Sequence, residues 1–354
     1  MISASSSGDM TSATRFLVGI CAAALVVAAV PAQADPVADF FKGKQIRILV
    51  GAGVGGGYDL YARALARRMG HYIPGNPAII VQNQAGAGGV TITNQLYQQG
   101  PKDGTAIGAP LSGVPTAPLL QTGANYDATK LNWLGSIATE AYVAYSWHAS
   151  PIASIQDVTK TEFLVGGTTP GSSTVDYPLF LNEMLGYKFK IIRGYAGPPE
   201  INIAIERGEV HGNGSVGWTL TKSLKPDWVK EKKIRNILQF GLSKHPELPD
   251  IPLVTDLARN EEQRQAMKLM FARSEYGRPF FLPPDVPAER VAALRQAFDK
   301  TMKDPEFLAE TERLKLEVQP MAGAELQKLV AELASTPPAV VGKVRSILTG
   351  AGGG

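Results

Sequence analysis

Three short segments of the chain gather glycines or hydroxyls in a pattern suited to an anion: Gly51 to Tyr58, Gly86 to Thr93 and Gly166 to Thr174. Each lies between the end of an apolar run and the start of a helical one. Glycines let the backbone come close to a ligand. The first turn of a helix presents unpaired N–H groups and a partial positive charge. Ser172, Ser173 and Thr174 add hydroxyl donors. None of the three segments contains Lys or Arg. The expectation is an anion held by dipoles and neutral hydrogen bonds, which suits reversible capture. One such turn is usually an ordinary strand-to-helix connection; three in one chain argue for a site.

Other chemistries fit less well. Gly51-Ala52-Gly53-Val54-Gly55-Gly56 matches the dinucleotide pattern G-x-G-x-x-G. The next strand, however, ends at Asn83 and Gln84, where an acidic residue should meet the ribose hydroxyls. Asn213-Gly214-Ser215-Val216-Gly217 falls one glycine short of a nucleophile elbow. His71, His148, His211 and His245 are widely separated and have no metal-ligand spacing. No cofactor, metal or catalytic residue is therefore expected. His211 remains a candidate for the site, because it follows Gly208-Glu209-Val210 at a strand directed to the cleft.

The elements that must position these turns are legible in outline. Gln45 to Val50 reads as a buried strand, followed by a helix with Leu60, Ala64, Leu65 and Met69 on one face. Ala78 to Val81 and Thr105 to Ala109 are the next strands. A second series starts with Phe163 to Val165 and a helix opened by Ser172, Ser173 and Thr174 that runs to Gly186. Pro178 predicts a kink or a late start in that helix. Lys188 to Arg193 is a strand, Pro198 to Arg207 a helix, and Val210 to Ser215 and Arg235 to Leu242 are strands. The last hundred residues read as helical. Val291, Leu294, Phe298 and Met302 form one core stripe, and Leu326, Leu329, Val330 and Leu333 another. Strand, turn and helix in alternation predict an α/β fold in two halves, each with a mostly parallel sheet flanked by helices.

The 354 residues carry a net charge of +3, and no dense basic stripe argues for nucleic acid. Arg15 precedes an apolar run from Phe16 to Val30, which ends at Ala32-Gln33-Ala34. That is the layout of a secretory signal peptide cleaved after Ala34. The run is short for a membrane span, which needs about 20 residues. The only cysteine, Cys21, lies inside it, so a disulfide scaffold and a cysteine nucleophile are both excluded from the processed chain.

An ordered set of motifs then narrows the reading. Val50 to Arg63, Gln82 to Gly89, Pro101-Lys102-Asp103-Gly104-Thr105 and Gly194-Tyr195-Ala196-Gly197-Pro198-Pro199-Glu200 are its first members. Ile205 to Val210, Pro246 to Pro252 and Pro283-Pro284-Asp285-Val286-Pro287 complete it. Together they resemble the Bug-type receptors of tripartite tricarboxylate transporters. The resemblance implies a periplasmic binding protein of two domains, type II-like. It places the signal peptide at 1–34, domain 1 at 35–143 plus 244–354, and domain 2 at 144–243. The crossovers fall near Tyr142–Trp147 and Gln239–Lys244. It implies a small organic carboxylate ligand, delivery to a membrane permease, a monomer, and no chemistry on the ligand. A carboxylate sensor is the alternative role, and an exported hydrolase a distant third. Carried onto this chain, the ligand contacts are Gly56, Gly57, Tyr58 and Asp59, then Ala87, Gly88 and Gly89. From the second domain come Thr168, Ser172, Ser173 and Thr174, with Tyr195 and Gly197 nearby. Two positions depart from the pattern: Tyr58 replaces a small hydroxyl residue, and His211 an acidic one.

Intact-mass analysis of the periplasmic fraction is expected to give a chain beginning at Asp35. A membrane-bound product that retains Phe16 to Val30 would contradict the signal-peptide reading.

Overall fold

A computed structural model of the chain describes residues 35–169 and 171–350; the signal segment, with Cys21 and the Ala32-Gln33-Ala34 site, lies outside the described residues. Eleven strands among the described residues form two sheets. In chain order they are β1 (Gln45–Val50), β2 (Ala78–Asn83), β3 (Ala106–Ala109), β4 (Asn132–Ser136), β5 (Tyr142–Trp147) and β6 (Phe163–Gly167). There follow β7 (Phe189–Arg193), β8 (Gly212–Gly217), β9 (Ile234–Phe240), β10 (Pro279–Leu282) and β11 (Met321–Ala322). The first sheet has the order β11-β4-β10-β3-β1-β2 and the second β7-β6-β8-β5-β9. Among the described residues no helix is long and apolar enough to cross a membrane.

The α/β class is as expected, and the sheets are mixed. β1 runs parallel to β2 and β3, and β6 parallel to β7 and β8. β10 is antiparallel to both its neighbours, as β5 is to β8 and β9. Those two reversed strands have one cause. Each is the first strand the chain makes after passing from the other sheet. The carboxyl ends of β4 and β9 point to the gap between the sheets, so the strand entering the far sheet must start at the gap and run away from it.

The chain leaves the first sheet through residues 137–141 and returns through 272–278. Tyr142–Trp147 is thus β5 itself, and the return comes later than Gln239–Lys244. The reason is the helix Glu261–Phe271, which stays packed on the second sheet's helix Ser173–Leu185. The Phe271 ring lies 4.9 Å from Tyr177 and 5.3 Å from Phe180. The two crossovers lie side by side. Glu140 N donates to Ser274 O at 2.7 Å, and Ile137 N to Arg278 O at 3.1 Å.

Packing explains two local features. Gly108 sits where a Cβ would lie 2.3 Å from the Phe281 ring, so its absence lets the fully buried β10 join β3. Pro178 is inside the helix Ser173–Leu185, and its ring fits over Gly214, where a Cβ would come within 2.4 Å of Pro178 Cγ. The helix starts at Ser173, without the late start that Pro178 suggested, and ends on left-handed Gly186 as expected. The stripe Val291, Leu294, Phe298 and Met302 is buried beneath the first sheet with Leu65 and Met69. β4, β5, β10 and β11 were not anticipated; the last two interrupt the expected helical tail.

Candidate functional site

The carboxyl ends of the parallel strands converge on the gap between the sheets, where open α/β sheets bind ligands. A cavity of about 360 Å³ lies there, with a second of about 310 Å³ beside it. The first sheet supplies Tyr58, Ala87, Gly88 and the turn Leu111 to Val114 after β3; the second sheet supplies Gly171, Ser172 and Ser173. Gly57, Thr174 and Pro198 line the neighbouring cavity. Glu140, Tyr142, Ser173 and Arg278 border both.

The first two turns meet through glycine. A Cβ on Gly51 would lie 2.6 Å from Gly89 Cα. Ala87, Gly88 and Gly89 all have positive φ, of 44°, 63° and 92°, a region that only glycine enters without cost. Tyr58 ties the first turn to the loop after β3, accepting from Ser112 N at 3.1 Å.

Acidic residues in the first helical turns hold the loops in place. Asp59, buried, accepts Gly55 N–H at 2.8 Å, Asn83 Nδ2 at 2.9 Å and Arg63 Nε at 2.9 Å. Burial pushes its carboxyl up, but these hydrogen bonds outweigh it and hold the carboxyl below its ordinary value. Asp176 accepts Gly171 N–H at 3.0 Å, and Glu200 accepts Ala196 N–H at 2.8 Å. The carboxylate of Asp59 is thus committed to the loop and is absent from the cavity lining. Thr168, Ser172 and Thr174 also bond one another, at 2.8 to 3.0 Å.

Two positive charges missed in the sequence stand in the gap, both from the second crossover. Arg273 Nε donates to Tyr177 Oη at 2.8 Å, with its guanidinium 4.7 Å from that ring. Arg278 lies 4.4 Å from the Tyr58 ring and 5.3 Å from Tyr61. Its Nη1 pairs with Glu140 at 3.2 Å, while its buried Nε has no hydrogen-bond partner. Burial opposes the charge on Arg278, but Glu140 and the two tyrosines outweigh it, so the guanidinium stays protonated. The expectation of a turn-lined site without cations is overturned. The segment Arg273-Ser274-Glu275-Tyr276-Gly277-Arg278 falls in the stretch expected to be helical, and its role as a crossover is what brings it inward.

Two expected residues lie elsewhere. His211 precedes β8, which runs parallel to β6, so it sits at the amino ends of those strands and away from the gap. Its Nδ1 accepts from Leu164 N at 3.3 Å. Tyr195 follows the edge strand β7 and lines a shallow depression with Ile203 and Arg207. Gly197 caps the helix Pro198–Glu206 beside the second cavity. Among the described residues no group of three or more His, Cys, Asp or Glu is placed to hold a metal.

Two mixed sheets flanked by helices, facing each other across a gap lined by strand ends, make the two-domain architecture of periplasmic binding proteins. The family model for the tripartite tricarboxylate transporter family receptor matches residues 62–345, and the chain belongs to that family. It is 27% identical over 339 residues to a UPF0065 protein from the gbd 5' region of Cupriavidus necator, covering 92% of this chain and 95% of that one. Its fold is similar to that of a TctC solute-binding protein from Polaromonas, with a TM-score of 0.67 at 16% identity over 85% and 98% of the two chains. It is also similar to MatC from Rhodopseudomonas palustris with bound malate, with a TM-score of 0.54 at 16% identity over 86% and 99%.

Asp59→Asn is expected to lower stability at pH 7 by about 2 kcal/mol, the worth of a charged hydrogen bond. Because the folded carboxyl is depressed, its contribution is present above the ordinary carboxyl pKa of about 3.9 and fades as pH falls through the folded value. Denaturant melts at pH 7 and pH 3 check both halves: the difference between Asp59→Asn and wild type should shrink at the lower pH.

Proposed function

We propose that this chain is a periplasmic receptor that captures a small organic carboxylate between its two sheets and delivers it to a membrane permease. The observation that carries the reading is Arg278. It is a charged side chain with a buried, unpartnered Nε, bordering both cavities beside the glycine turns. A buried donor of this kind calls for an acceptor, and a carboxylate matches the planar guanidinium edge. Arg273, Gly88 and Ser173 complete the grip, with the N–H groups of the helix starting at Gly57 close by. Malate in the related MatC is a ligand of this class. Membership of the transporter receptor family supports export after Ala34 and hand-over to a permease. The lobes divide at 137–141 and 272–278, and closure over the ligand is a rotation about those paired segments. The ligand is held and released unchanged.

In a thermal-shift screen, one or more di- or tricarboxylates should raise the melting temperature by mass action, and the matching neutral amides should not. Arg278→Gln should weaken the best ligand tenfold to more than a hundredfold, equivalent to about 1.5–3 kcal/mol. Unliganded melting of the variant confirms its fold. A protein whose melting temperature no carboxylate raises would contradict the proposal.

A further inference from the structure

We propose that a side cavity opening off the cleft is a subsite for the apolar chain of an elongated carboxylate, which passes Arg273 to reach it. This rests on the reading of the cleft as a carboxylate site, and it specifies which carboxylates that site prefers. The cavity measures about 440 Å³. Its walls include Leu120 from the first sheet's side, Met270 of the helix Glu261–Phe271 and Leu348 of the C-terminal helix Pro338–Gly350. Arg273 lines this cavity and the cleft alike. With its Nε tied to Tyr177, its guanidinium is a fixed charge at the boundary, available to a carboxylate on one side while the chain attached to that carboxylate lies on the other.

The polar groups fit that arrangement. At the inner end, the Asp176 carboxylate accepts Gly171 N–H and offsets part of the Arg273 charge. At the mouth, Arg345 is anchored by two bonds to Leu119 O, Nε donating at 3.1 Å and Nη2 at 2.5 Å. That anchor fixes the C-terminal helix as the outer wall, and Val344 and Ile347 of the same helix are buried in the core. Between the two charged ends Leu120, Met270 and Leu348 present apolar surface among the polar Thr116, Gln121, Thr122 and Thr349. A compact diacid held by Arg278 leaves the three apolar side chains uncovered. A longer chain covers them, and each methylene taken out of water should tighten binding roughly fourfold.

Titration calorimetry with succinate and suberate, two diacids differing only in chain length, tests the subsite. Wild type is expected to bind suberate at least tenfold more tightly than succinate. Leu348→Trp, on a half-buried position of the outer wall, should fill the cavity and abolish that preference while leaving succinate affinity unchanged. Thr349→Trp, exposed on the same wall, repeats the test if Leu348→Trp does not fold. Equal or weaker binding of suberate by wild type overturns the subsite, as does an equal loss of both ligands in the variant. A protein that binds neither of these diacids nor any other carboxylate would instead fail the reading of the cleft itself.

Discussion

The chain crosses between its sheets twice, and the rest of the molecule is arranged around the pairing of those two crossings. Residues 137–141 and 272–278 hydrogen-bond to each other, so both run along the floor of the gap. Whatever side chains they carry must face either the core or the gap. Glu140, Arg273 and Arg278 are carried there by position in the topology. The cost of bringing three charges to a half-buried floor is reduced by pairing and stacking. Arg278 lies against Glu140, Tyr58 and Tyr61, and Arg273 against Tyr177. The same crossings reverse β5 and β10 relative to their neighbours, and so make both sheets mixed.

A second regularity acts on the loops. Asp59, Asp176 and Glu200 each stand in the first turn of a helix and reach back to a loop N–H four or five residues earlier. Such an acid satisfies a donor that would otherwise be orphaned and favours the helix dipole. It also fixes the loop before any ligand arrives, which lowers the ordering cost of binding. The glycine-rich turns at Gly55 and Gly171 are thereby anchored despite their composition. Among the described residues the turn 86–89 has no such acid in its hydrogen bonds and packs instead through the close approach of Gly89 to Gly51.

What could be read in the sequence was local. Strands β1, β2, β6 and β7 announce themselves by runs that lead into glycine turns, β3 by its short run after the Lys102-Asp103-Gly104 turn, and the helix Ser173–Leu185 by its hydroxyl start and glycine stop. β10 was hidden because it begins with proline, is four residues long, and joins the sheet only because Gly108 makes room for Phe281. The cavity-lining turn Leu111 to Val114 follows β3 but lacks the glycine signature of the others. His211 was drawn to the site by its sequence neighbours, whereas the parallel register of β8 on β6 puts it at the far end. Arg273 and Arg278 depend on where the chain crosses, a non-local fact that periodicity does not carry.

The most direct measurement is a crystal structure of the protein with the tightest-binding carboxylate from the screen. The expected result is ligand density in the gap between the sheets, with a carboxylate oxygen within hydrogen-bonding distance, about 3 Å, of the Arg278 guanidinium, and with the turn at Gly88 beside it. A carboxylate bound elsewhere on the molecule, with the gap filled only by water and the Arg278–Glu140 pair unchanged, would contradict it.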